Sequence, residues 1–173
     1  YMLRPPLPLL ITGVAGVAGY NAFQSTIAVG SGQVFGKGIG YGTQSKLRFL
    51  PEYQTDFIFA AFAEEWGLVG ALILLFVCGT LITRILVLSG RGSSNFETLF
   101  CLGVALFFFT HFVINFGMNV GLLPVTGITV PFMSYGGSHL LAEFLGVGIL
   151  MGQSSYARAI RKEEAKNEII GVF

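Results

Sequence analysis

The sequence predicts an all-α fold: a polytopic membrane helical bundle with about three full transmembrane helices, a Gly-rich outer loop and a re-entrant Pro/Gly loop. Three observations carry that prediction. Only 11% of the 173 residues are charged, against roughly a quarter in soluble domains. The hydrophobic fraction is 53%, the aromatic fraction 14% and the mean hydropathy +0.73, so polar surface is too scarce to cover the chain in water. Finally, residues 66–83 and 98–142 hold no Asp, Glu, Lys or Arg, where one bilayer crossing needs about 20 apolar residues. These figures exclude a soluble globular domain and a disordered chain. A net charge of +1 makes no broad basic field and argues against nucleic acid as a partner. Cys78 and Cys101 lie in apolar runs without CxxC spacing or nearby His, which reads as two buried apolar side chains and no metal site.

The chain begins at Tyr1 and is read as a fragment. Residues 3–19 mimic a signal peptide, but Pro5, Pro6 and Pro8 and the missing start Met argue for a membrane-helix end or a surface segment. The first span is placed at 57–88. The charge-free stretch 98–142 is too long for one crossing. Pro124 and Pro131 each lack a backbone donor, and Gly127, Gly136 and Gly137 permit turns. This divides it into spans at 97–119 and 138–157, with an apolar, irregular loop between them that dips into the membrane. Arg84 and Arg91 flank one connection, and Arg158, Arg161, Lys162 and Lys166 follow the last span. The positive-inside rule puts these in the cytoplasm, with 158–173 as a cytoplasmic tail, and puts 20–56 and 121–137 on the outer face.

Segment 20–56 is the most unusual. Gly30, Gly32, Gly36, Gly38, Gly40 and Gly42 alternate with Ser31, Lys37, Thr43, Gln44, Ser45, Lys46 and Arg48. A glycine-rich backbone can aim its N–H groups at an anion, and Lys37, Lys46 and Arg48 can neutralise a phosphate or diphosphate. A flexible surface loop meeting lipid headgroups accounts for the same residues. Asp56 stands where this loop becomes a helix. It can cap that helix, or act as a general base on a sugar hydroxyl. Glu52 is a second carboxylate near that face.

Within the spans, Glu64 is expensive unless paired or wet. His139 and Glu143, spaced i, i+4, can meet on one helix face. His111 and Asn115 have the same spacing and read as interhelical hydrogen-bonding groups.

GYNAFQSTIAVGSGQVFGKGIGYGTQSKLRFLPEYQTDFIFAAFAEEWGLVG and GLLPVTGITVPFMSYGGS resemble the outer loop, following helix and C-terminal hallmark of the SEDS proteins, the bacterial shape, elongation, division and sporulation family. FGKGIGYGTQSKLRFLPE leans toward its rod-elongation (RodA) branch rather than the FtsW branch. The resemblance covers residues 19–157 and implies the C-terminal part of a larger fold. It implies a multi-pass protein of the bacterial inner membrane that polymerises lipid II, an undecaprenyl diphosphate lipid, into glycan strands beside a class B penicillin-binding protein. It places the family's essential outer-face aspartate on Asp56 as catalytic base. The substrate-binding set would be Lys37, Lys46, Arg48, Gln44, Ser45, Glu52, Ser134, Gly136 and Gly137. No cofactor is required by the pattern; a divalent cation (Mg or Mn) at Asp56 is the one considered. His139 departs from the family, which has a small residue there. Two rivals remain: a lipid-linked precursor transporter or flippase, and a non-catalytic membrane scaffold of the cell-wall machinery.

Overall fold

The computed structural model describes residues 13–42, 54–92 and 94–170. Four helices follow in order: α1 Gly13–Ser31, α2 Ile58–Ser89, α3 Asn95–Asn119 and α4 Gly137–Ile170. Among the described residues there is no strand. α2 and α3 are long and apolar enough to cross a membrane. Only 17% and 28% of their most apolar windows are buried within the chain, so most of that surface faces outward, as suits a lipid or helical environment. The hydroxyls of Thr80, Thr83 and Thr110 bond back to Val77, Thr80 and Leu106 carbonyls, so these spans carry them without exposing an unpaired donor.

The helices sit close to the expected positions, with two differences. Residues 20–31, expected in the outer loop, belong to α1. Their glycines and hydroxyls read as loop, but Ser25 and Thr26 donate to the Ala22 carbonyl and Ser31 to that of Ala28, which satisfies them inside a helix. Residues 158–170, read as a tail beyond the last span and most simply a solvated helix end, continue α4. The loop 121–136 is non-helical, as its prolines require.

The described residues pack as two compact units, one within 1–73 and 113–134, the other within 74–112 and 135–173. In the first, Ala28, Phe57 and Ala60 form a buried cluster with Val29 and Val125 packed on it. Helix, turn and re-entrant loop are thus anchored around Phe57. In the second, Cys101, Ala105, Phe108, Leu150 and Ala157 are buried. Ser94 starts α3 by accepting the Glu97 N–H at 3.3 Å, the Ser-x-x-Glu arrangement of a capping box.

Candidate functional site

In the first unit, residues 54–57 form a turn that leads into α2. Phe57 is 2% exposed, so the turn is pinned by an aromatic anchor, and Asp56 beside it stays half-buried. Three side chains hold the two carbonyls of this turn. Ser134 Oγ donates to the Thr55 carbonyl at 2.7 Å and accepts the Val130 N–H at 2.8 Å. Asn115 Nδ2 lies 2.9 Å from the Asp56 carbonyl and 2.6 Å from that of Ile128. Asn119 Nδ2 lies 3.3 Å from the Asp56 carbonyl and 3.0 Å from Asn115 Oδ1. Both asparagines are 0% exposed. One helical turn apart on α3, they clamp the Asp56 turn to the re-entrant loop. Gly127, at φ 71°, lies so close that a Cβ there would stand 3.4 Å from Asp56 Oδ2. Bare backbone therefore forms one wall beside the carboxylate.

Asn115, expected to hydrogen-bond between helices, bonds a turn and a loop instead. Its hydrogen bonds go to the Asp56 turn and the re-entrant loop, whereas His111, one turn earlier, belongs to the other unit. The signal was present in Asn115 and Asn119, two amides on one helix face just ahead of a Gly/Pro loop. Asn115→Ala removes the donor to Ile128 and one donor to Asp56. Losing a buried partner costs about 1–3 kcal/mol, so a lowered denaturation midpoint of the purified protein is expected, and an unchanged midpoint would contradict the clamp.

The glycine-rich segment also takes a definite course. α2 is broken at Gly67 (φ 68°, ψ −165°), a conformation open essentially to glycine alone. Residues 33–38 fill the break. The Leu68 and Val69 N–H groups donate to the Gln33 and Val34 carbonyls at 2.9 and 3.1 Å, and the Lys37 and Gly38 N–H groups donate to the Glu64 and Glu65 carbonyls, both at 3.1 Å. The Gly40 N–H donates to Glu65 Oε1 at 3.1 Å. The Lys37 and Gly38 amides of the glycine-rich segment are thus taken up in splicing a broken helix, and the Gly40 amide meets the Glu65 carboxylate.

Lys37 sits in the same splice. Its Nζ lies 2.8 Å from Glu64 Oε1, with the lysine side chain 30% exposed and the glutamate 0%. The buried carboxylate thus has a cation, as its depth demands. Lys37→Met removes that cation from a fully buried carboxylate, whereas Glu64→Gln leaves a partly exposed ammonium that can reach solvent. Breaking a buried pair costs about 3–5 kcal/mol; the loss is expected to be larger for Lys37→Met, and adding Glu64→Gln is expected to recover part of it. Thermal unfolding of the three variants checks the order.

Lys46, Arg48, Gln44, Ser45 and Glu52 lie outside the described residues. Gly136 and Gly137 fall in the second unit at the start of α4, where the Gly136 carbonyl accepts the Leu140 N–H at 3.0 Å. The expected His139–Glu143 pair forms there, with Nε2 and Oε1 3.1 Å apart. The His111 ring lies 5.4 Å from that of His139 and 4.2 Å from Phe107. Among the described residues, no group of three His, Cys, Asp or Glu could hold a metal ion.

Comparison with known proteins gives a consistent picture. The cell cycle protein family model for FtsW, RodA and SpoVE matches residues 13–159. The chain is 47% identical over 145 residues to the peptidoglycan glycosyltransferase MrdB of Escherichia coli K12, covering 84% of this chain and 39% of MrdB. It therefore spans about two fifths of the length of the curated relatives it matches. A chain from a structure describing coordination of polymerization and crosslinking by a peptidoglycan synthase complex superposes with a TM-score of 0.64 at 30% identity, over 78% of this chain and 37% of that one. An alanine variant of the Thermus thermophilus rod shape determining protein RodA superposes with a TM-score of 0.53 at 41% identity, over 56% and 32%.

Proposed function

Because the chain belongs to the FtsW, RodA and SpoVE family of cell cycle proteins, we propose that the protein it forms part of is a peptidoglycan glycosyltransferase that polymerises lipid II during cell elongation. The observation that carries this reading is the Asp56 turn. A half-buried carboxylate is held by Asn115, Asn119 and Ser134 through its own backbone and that of Thr55. A base must be held within hydrogen-bond reach of the proton it removes, and such anchoring supplies part of the positioning a transfer reaction needs.

In this mechanism Asp56 takes the proton from the acceptor sugar hydroxyl as that oxygen attacks the donor's anomeric carbon. The bond to the lipid diphosphate breaks, and the diphosphate leaves with the electron pair. Lys46 and Arg48 would neutralise it. Lys37, already against Glu64, would contribute less than its formal charge. The protein is placed in the bacterial inner membrane, with Asp56 outside and the end of α4 in the cytoplasm. The likeness to a chain of a synthase complex supports a class B penicillin-binding protein as partner, and the MrdB likeness supports the elongation branch.

The test is polymerisation of lipid II by full-length protein reconstituted in vesicles, with and without Asp56→Asn. A second reading, lipid translocation, draws on the α2 break, since discontinuous helices also line transport paths. Scrambling of lipid II by those vesicles without polymer would favour it.

A further inference from the structure

The second unit contains a cavity of about 250 Å³ lined in part by Leu88, Arg91, Glu97, Gln153 and Arg158. A single water needs only about 10–15 Å³ of such space, so the cavity has room for a polar group of several atoms. Among the described residues its wall carries two guanidinium groups and one carboxylate, two positive charges less one negative, which leaves one positive charge. Glu97 is 8% exposed. Arg158 Nε donates to the Ser154 carbonyl at 3.1 Å, which holds that guanidinium along α4 beside the cavity. Gln153 Oε1 is buried and accepts no hydrogen bond. Leu88, and Ala157, which is 4% exposed, supply apolar wall.

We propose that this cavity binds the headgroup of an anionic phospholipid whose phosphodiester is extended by a hydroxylated group, as in a phosphatidylglycerol. The phosphodiester carries a single negative charge, which matches the surplus of the described lining residues. Guanidinium forks match phosphate oxygens in geometry as well as charge. A headgroup hydroxyl donates to Gln153 Oε1, and the apolar wall meets the start of the acyl chains. Basic pockets between helices near a membrane surface are suited to such headgroups. Placing the cavity at the cytoplasmic leaflet rests on the orientation proposed above; binding itself does not.

The experiment is native mass spectrometry of the full-length protein in detergent, titrated separately with phosphatidylglycerol, phosphatidylcholine and phosphatidylmethanol. The wild type is expected to retain phosphatidylglycerol several-fold over phosphatidylcholine. Arg91→Gln with Arg158→Gln is expected to erase that preference. Arg158→Lys, which keeps the charge but loses the fork and serves if the double variant does not fold, is expected to weaken it. Gln153→Leu is expected to remove the advantage of phosphatidylglycerol over phosphatidylmethanol while both stay above phosphatidylcholine. Equal retention of all three lipids by the wild type overturns the proposal, as does an unchanged preference in the arginine variants. Displacement of the lipid by millimolar inorganic phosphate would assign the cavity to a soluble anion instead. Polymerisation is not part of this readout, so a failed glycosyltransferase assay leaves it untouched.

Discussion

Asp56→Asn, introduced into the full-length protein, is expected to insert into the membrane normally and to lose lipid II polymerisation. Asparagine keeps the size of the side chain and an acceptor oxygen beside Gly127, but it cannot take a proton. Asn115, Asn119 and Ser134 hold the turn through the carbonyls of Asp56 and Thr55, contacts that the substitution leaves in place. Removing a general base costs roughly 10²–10⁴-fold in rate, which on a gel of labelled glycan strands is the disappearance of product. Wild-type polymer from this variant would take Asp56 out of the chemistry. Loss of product together with loss of monodisperse protein would instead point to a structural duty for the carboxylate.

Gly36→Ala is expected to disrupt folding of the first unit. Gly36 has φ 77°, where an L side chain is strained, and a methyl group there would collide with the Glu65 carbonyl oxygen and the Gly67 nitrogen. Those atoms are backbone and cannot rotate away. Relief would require residues 33–38 to leave the α2 break, forfeiting the four backbone bonds between 33–38 and 64–69. In an apolar environment those groups find no water to replace the lost partners, and each unpaired group costs several kcal/mol. The measurement is the yield of monodisperse protein after detergent extraction, with Gly30→Ala as control, since a Cβ at Gly30 meets nothing within 4 Å. Equal yields would show that the splice does not hold the fold.

The two positions show where a reading of residues succeeds and where it stops. Asp56 stood out in the sequence because the motifs on either side resemble a known family; its place at the start of a helix would by itself also suit a cap. The break in α2 was not legible. Gly67 lies inside a charge-free apolar run, and nothing local separates a tolerated helix glycine from one that lets a second backbone enter. Nor could Lys37 be assigned to Glu64, since 27 residues separate them.

Apolar run length and proline placement alone specify an all-helical membrane chain, its last three helices and its loop of prolines, but not α1, because hydrophobic burial and backbone hydrogen-bond satisfaction act on local composition. The partners of the buried polar groups were settled only in three dimensions. Asn115, Glu64 and the amides of residues 36–40 each had several chemically adequate partners, and the packing of helix against loop left each with the ones it could reach.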